Sequence, residues 1–256
     1  TLLTEEVIEV NEQLTTVSFN GQKTLSLEVA VGSGAFHYRD DPIDEFYTIT
    51  DRGPTIACHQ TMTLLGISNF CINNNVVDET GTIFPVSNFT PEIYKFNVDT
   101  SGLVGAKVGY HLLQAIPLRD RYGNFLQGLP NPAAVITAAN AYDNTGQRLA
   151  TAPSSVAPEA IIKLADGTFW LGENYAPSLL HVDATGHVLE RFVPRGVESE
   201  LAGANYQVMG RLPTILKKRQ WYRGIEGLAV SPDEQYLYFI LSSSLANPND
   251  SAAINS

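Results

Sequence analysis

The chain has 256 residues, 44% of them hydrophobic, enough to bury a core in one large domain or two small ones, and this sets disorder aside. Its 16 basic and 27 acidic residues leave a net charge of −11, which argues against a nucleic-acid ligand because a phosphate backbone calls for a positive footprint. No window approaches the roughly 18 apolar residues of a membrane span. The two cysteines, Cys58 and Cys71, read either as a disulfide of an oxidising compartment or as two free thiols. Thr1 rather than Met stands first, as removal of an export signal would leave it.

From the N-terminus, apolar residues recur at Val7, Ile8 and Val10, then at Leu14, Val17 and Phe19, then at Leu25, Leu27, Val29 and Val31. Asn20-Gly21 separates the last two runs, so the segment reads as strands around a hairpin turn. A pattern then begins that occurs three times. Its first copy runs from Gly32-Ser33-Gly34-Ala35 to Phe46-Tyr47-Thr48-Ile49-Thr50-Asp51-Arg52. Residues from about 53 to 91 follow, rich in Asn, Thr and Gly and holding both cysteines, and read as a long irregular insertion. A hairpin comes next, residues 93–98 returning through Leu112 to Ile116 about the turn Asp99-Thr100-Ser101-Gly102. Residues 118–155 carry Pro and Gly clusters and a further turn, Asp143-Asn144-Thr145-Gly146. The second copy runs from Pro158-Glu159-Ala160-Ile161 to Phe169-Trp170-Leu171-Gly172-Glu173, with its own hairpin about Asp183-Ala184-Thr185-Gly186. Residues 195–223 form a connector ending in a basic-aromatic run, Lys217 to Arg223, which reads as a solvated link or as a lure for an anionic substrate. The third copy runs from Ile225-Glu226-Gly227-Leu228 to Tyr236-Leu237-Tyr238-Phe239-Ile240, before a Ser-, Asn- and Ala-rich tail.

Each copy is a small or acidic residue, a short apolar strand, a polar turn and an aromatic-rich strand. With the hairpin that follows, the unit is four antiparallel strands, the blade of a propeller. The expected fold is therefore all-β: a β-propeller of four-stranded antiparallel blades in one domain over residues 1–256, interrupted by the insertion at about 53–91 and the connector at 195–223. Little helix is expected, since no stretch holds a 3.6-residue period. Phe169, Trp170, Tyr236, Tyr238 and Phe239 are expected to fill the space between blades. Three copies fall short of the about four to eight blades of a closed propeller. Further blades beyond residue 256, strands hidden in the connecting segments, or a protein partner adding strands to the open edge would complete it.

Glu159 and Glu226 stand at the start of the innermost strand of their copies, where the first copy has Ser33. Asp51 and Glu173 end the second strand of theirs. Antiparallel pairing sets these ends side by side, so Asp51, Glu159, Glu173 and Glu226 are expected to ring one mouth. Like charges so placed repel unless a cation or protons intervene. Calcium, hard and oxygen-loving, is the expected cation, and it would polarise a phosphoryl or carbonyl oxygen and activate water. The alternative is that each acid accepts backbone amides at a strand end. Arg52 beside Asp51 either grips a phosphate or carboxylate or locks the turn before Pro54 as an internal ion pair. His37, just after the first innermost strand, is a substrate-binding candidate. The histidines at 37, 59, 111, 181 and 187 make no zinc spacing, and no Gly-x-Ser-x-Gly elbow or P-loop is present.

Four blocks of the sequence resemble the phytase-like, "esterase-like activity of phytase" family of secreted β-propeller proteins. They are Ile49-Thr50-Asp51-Arg52-Gly53-Pro54; Gly128-Leu129-Pro130-Asn131-Pro132; Pro158-Glu159 through Asp166-Gly167-Thr168-Phe169-Trp170 to Tyr175-Ala176-Pro177-Ser178; and Gly224-Ile225-Glu226-Gly227-Leu228-Ala229-Val230-Ser231-Pro232-Asp233. The resemblance implies an exported protein, secreted, periplasmic or on the cell surface, that hydrolyses a small anionic ester of phosphate or another acid. Taken with the strand-end placement above, the expected catalytic residues are Asp51, Arg52, Glu159 and Glu226, the expected substrate contacts Arg52, His37 and Tyr175, and the expected calcium ligands Asp51, Glu159, Glu173 and Glu226. Three positions depart from the family's usual pattern: Ala157 replaces an acid, Asn174 stands in Glu173-Asn174-Tyr175 where Asp-Glu-Tyr is usual, and Tyr222 takes the place of an Asn. These departures favour an alternative in which the chain is a non-catalytic propeller that binds a partner or builds a surface assembly.

Overall fold

The computed structural model describes residues 10, 12–99, 109–132, 139–220 and 222–245. Its strands are, in chain order, β1 (Gln13–Phe19), β2 (Lys23–Glu28), β3 (Gly34–Phe36), β4 (Glu45–Ile49), β5 (Ile56–Ala57), β6 (Ile72–Asn73), β7 (Val76–Val77), β8 (Thr82–Ile83), β9 (Glu92–Asp99), β10 (Gly109–Pro117), β11 (Ala141–Tyr142), β12 (Arg148–Leu149), β13 (Pro158–Lys163), β14 (Phe169–Glu173), β15 (Ser178–Val182), β16 (Val188–Pro194), β17 (Gln207–Leu212), β18 (Ile225–Val230) and β19 (Leu237–Leu241). The described helical structure is α1 (Thr61–Leu65) and three 3-10 segments, Cys58–Gln60, Glu198–Leu201 and Thr214–Lys218. Among the described residues no helix is long and apolar enough to cross a membrane. The protein is mostly β and is built from several small sheets.

Asn20 and Gly21 take φ of 47° and 70°, the left-handed pair that a two-residue hairpin turn needs, and β1 pairs antiparallel with β2. Val7 and Ile8 lie outside the described residues, and Val10, Val29 and Val31 lie outside the strands. The first repeat forms a four-stranded sheet, β3-β4-β9-β10, antiparallel throughout. This is the strand pair plus hairpin read from the sequence, although residues 53–91 intervene between β4 and β9. The turn that joins β9 to β10 lies, beyond Asp99, outside the described residues.

The second repeat forms β13-β14-β15-β16, also antiparallel, and then departs from the expected four strands: β17, from the 195–223 connector, joins the edge of β16 in parallel. The connector thus covers an edge whose backbone groups would otherwise face solvent. The Asp183-Gly186 turn is as expected: Gly186 takes φ 93°, and Asp183 Oδ1 accepts from the Thr185 and His187 amides at 2.8 and 3.0 Å. The third repeat is the two-stranded pair β18-β19.

The insertion is not an irregular loop. Cys58 and Cys71 form a disulfide, β6 pairs with β7, and β5 and β8 make a sheet with β11 and β12 from residues 118–155, β11 lying parallel to β8. Ile56, Leu65, Ile67, Phe70, Ile83 and Tyr142 pack there on Val17 and Phe19 of β1. Strands of two residues carry no readable period, which is why the sequence pattern misses them.

The three repeat sheets stack face to face in chain order. Tyr47, Ile49, Ile93 and Ile116 of the first meet Ile161, Phe169, Leu171 and Leu180 of the second, with the Tyr47 and Phe169 rings edge-on at 5.4 Å. Leu179 of the second packs with Ile225 of the third, flanked by Trp170, Phe192, Leu228 and Phe239. Each such buried side chain contributes about 1.5–3 kcal/mol of transfer free energy. At Gly34 a Cβ would lie 2.8 Å from Ala160 Cα, so only glycine lets β3 approach β13 this closely. Tyr236 and Tyr238 do not fill the core as expected: they are 64% and 59% exposed. The alternation of β19 sends Leu237 and Phe239 onto the second sheet and Tyr238 away from it, where no other described strand covers it.

Candidate functional site

The close approach of β3 and β13 brings the end of β4 beside the starts of β13 and β18. Asp51 lies two residues beyond β4, and Glu159 and Glu226 occupy the second positions of β13 and β18. The register slips between Pro158 and Ala160, and again between Ile225 and Gly227, so each glutamate sits in a β-bulge. A bulge turns a side chain away from the regular alternation and is a common device for aiming one at a site. Ser33, at the matching place of the first repeat, precedes β3, whose pairing with β4 is regular.

Glu159 has its carboxyl pushed up to about 7, chiefly by burial and then by the negative charge of Asp51, with Glu226 adding to the effect. Asn174 opposes the shift: its Nδ2 donates to Glu159 Oε1 at 2.9 Å, while its Oδ1 accepts the Gly224 amide at 3.0 Å. Asn174 therefore ties β13 to the entry of β18. Asp51 is also raised by burial, against the pull of Arg52 and of the Tyr222 hydroxyl, which donates to Asp51 Oδ2 at 3.1 Å.

Arg52 lies beside Asp51, with Nε 3.9 Å from Oδ2, its side chain 18% exposed and its guanidinium 3.7 Å above the Tyr222 ring. Arg52 Nε and Asp51 Oδ1 are buried and have no hydrogen-bond partner among the described residues. Unsatisfied buried polar atoms are uncommon, and two on adjacent residues leave this turn with capacity to bind a further polar group. The backbone of Arg52 is pressed against Gly128, where a Cβ would fall 1.9 Å from the Arg52 carbonyl oxygen. The Gly128–Pro132 block thus forms the wall behind the arginine.

Two expected members stand apart from the mouth. Glu173 is fully buried and both its oxygens are taken up by protein donors: the Ala157, Tyr175 and Ala176 amides, the Ser178 hydroxyl and Arg191 Nη2, the last at 2.7 Å. Burial works against the charge of Arg191, but Glu173 and Tyr206 together more than offset it and hold that guanidinium protonated. Asn131 and the Tyr206 hydroxyl complete the network around Arg191. Glu173 is an anchor beneath the site. His37 follows the far end of β3, exposed, with Nδ1 2.7 Å from the Glu45 carbonyl oxygen; antiparallel pairing carries that end away from Asp51.

Tyr175 is 1% exposed, and its hydroxyl donates to the Gly128 carbonyl and accepts from Arg52. Burial pushes this phenol up, as it does that of Tyr222, so both stay neutral. Their rings meet edge-on at 5.6 Å. Tyr175 positions Arg52; it has little surface to offer a substrate.

The residues that the sequence reading passed over are Asn174 and Tyr222, visible there only as departures from a pattern. Both are in the site. Tyr222 takes φ 58°, a left-handed conformation that an Asn adopts far more readily than an aromatic residue, so the chain accepts strain to place this ring under Arg52.

Calcium takes about six to eight oxygen ligands. Among the described residues no three His, Cys, Asp or Glu side chains come together as a metal-holding group. With Glu173 saturated and Asp51 shared between Arg52 and Tyr222, the donor set does not fit a calcium ion. The arrangement instead offers a carboxyl raised to about 7, an exposed second carboxylate and a positioned guanidinium. No curated protein and no solved structure matches the chain. A family model described as "Phytase-like: Esterase-like activity of phytase" matches residues 32–255, and the chain belongs to that family.

Proposed function

We propose that this chain carries the active site of an exported β-propeller hydrolase that cleaves phosphate or other esters at Asp51, Arg52, Glu159 and Glu226. The observation that carries the reading is Glu159: a bulged, part-buried carboxyl poised at about 7 between a second carboxylate and a guanidinium. A general acid works best when its pKa lies near the working pH, and paired carboxyls pushed apart in pKa commonly divide the acid and base roles. In this reading Glu226, exposed at the mouth, takes a proton from water as its oxygen bonds to the carbonyl carbon or phosphorus. The bond to the leaving oxygen breaks, and that oxygen receives the proton of Glu159. Arg52, held by Asp51, Tyr175 and Tyr222, stabilises the oxygen that becomes negative. The stacked repeat sheets, with β3, β13 and β18 side by side, support the propeller as the frame, and the disulfide supports an oxidising compartment.

The test is steady-state hydrolysis by the native full-length protein. Glu159→Gln is expected to lower kcat by about 10²–10⁴-fold, and Arg52→Lys by about 10²-fold, with folding unchanged by circular dichroism. Equal rates in wild type and Glu159→Gln would remove the reading.

A second reading, a non-catalytic binding or structural component, is favoured by the exposed Tyr238 and Ile240 on β19 and Tyr236 just before it. Its signature would be absence of hydrolysis with stable assembly into a larger species by light scattering.

A further inference from the structure

Beside Asp51 opens a cavity of about 240 Å³, walled by Leu14, Val29, Val31, Pro54 and Phe89, with Ser33 and Asp51 at its polar rim. Its position is informative. Ser33 is the first-repeat counterpart of Glu159 and Glu226, and Asp51, which lines the cavity, is the acid whose charge acts on Glu159, so the cavity opens beside the mouth. Its volume lies just under the about 300–1,000 Å³ of pockets for drug-sized ligands, so it takes a short group. Its walls are mainly carbon, with Glu28, Ser33, Thr50 and Asp51 as the polar residues of the lining.

The charge at the mouth narrows the choice further. Asp51, Glu159 and Glu226 surround a single guanidinium, Arg52, and Glu28 adds another acid to the cavity wall. A polyphosphorylated substrate would bring several negative charges against these carboxylates with one cation to receive them. A neutral ester meets no such repulsion, and its carbonyl oxygen becomes negative only as water adds, when Arg52 is needed.

We infer that the substrate is a neutral carboxylic ester whose short apolar acyl group fills the cavity beside Asp51. This rests on the hydrolase reading above and specifies its substrate. Water adds to the acyl carbon and gives its proton to Glu226, the acyl carbon–oxygen bond breaks, and the alcohol leaves with the proton of Glu159. The acid product remains in the cavity until released.

The experiment compares p-nitrophenyl acetate, butyrate, octanoate and phosphate with the native full-length protein. From acetate to butyrate, two further methylenes enter the cavity, and kcat/KM is expected to rise about tenfold. It is expected to fall again at octanoate, and the phosphate ester to be at least about 100-fold slower than butyrate because dianion and carboxylates repel. Ala30 lines the cavity from its exposed rim and takes no part in the chemistry. Ala30→Trp is expected to cancel the butyrate advantage, bringing kcat/KM for butyrate down to that for acetate. Val31→Phe serves if that variant does not fold. A phosphate ester cleaved faster than butyrate, or an acyl-length profile untouched by filling the cavity, overturns the substrate assignment. Loss of all hydrolysis in Glu159→Gln alongside such a result leaves the catalytic reading standing. Hydrolysis untouched by Glu159→Gln removes both.

Discussion

Replacing Glu159 by Gln should make the protein more stable, and only above a definite pH. In the folded protein burial and the neighbouring Asp51 and Glu226 push this carboxyl from an ordinary 4.5 to about 7. Between those values the folded state binds the proton more tightly than the unfolded chain, so ionisation disfavours folding and stability falls as pH rises through the window. At about 1.4 kcal/mol per pH unit the full difference is about 3.4 kcal/mol. Glu159 keeps part of its surface in water, which screens it, and about half of that, about 1.5 kcal/mol, is expected. Gln is neutral throughout and still accepts from Asn174 through its amide oxygen. Wild type and Glu159→Gln should therefore be equally stable near pH 4.5, with the variant gaining over the wild type up to pH 7 and holding about 1.5 kcal/mol above it. Urea unfolding at half-unit intervals from pH 4.5 to 8.5 reads this directly. A difference between the two proteins that does not change with pH would show that Glu159 is an ordinary surface carboxyl and refute the acid–base assignment.

Removing both cysteines, Cys58→Ala with Cys71→Ala, opens a loop closed across 13 positions and should lower stability by about 3 kcal/mol in urea, while leaving the mouth chemically intact. A loss below about 1 kcal/mol would mean that the Ile56, Leu65 and Phe70 core alone holds the insertion. Glu173→Gln leaves Arg191 charged and buried without its counter-ion and is expected to cost about 3–5 kcal/mol in the same assay. A cost within about 1 kcal/mol would return Glu173 to the list of groups free to serve a ligand. Calcium titrated by calorimetry should give no saturable heat at the mouth. A one-to-one site lost in both Glu159→Gln and Glu226→Gln would restore the calcium expected from the acidic strand ends.

Much of this protein can be read before it folds. The threefold pattern of strand, turn and aromatic strand located β3-β4, β13-β14 and β18-β19, and the Asn20-Gly21 and Asp183-Gly186 turns located the β1-β2 and β15-β16 hairpins, because strand period and turn chemistry are local properties. The same local pattern placed Glu159 and Glu226 at equivalent strand starts, and both fall in bulges at the mouth. Tertiary structure decided which acids face one another. Asp51 and Glu159 are 108 positions apart in sequence, and the pairing of their strands into separate sheets says nothing of their distance. Their encounter depends on β3 lying against β13, which the absent side chain of Gly34 permits. Glu173 looked like its neighbours in sequence, yet Arg191, brought over from β16, turned it inward. A charge takes its role from the medium and partners around it, and those are supplied by residues far along the chain; hence the strands were legible in the sequence, while the proton on Glu159 belongs to the fold.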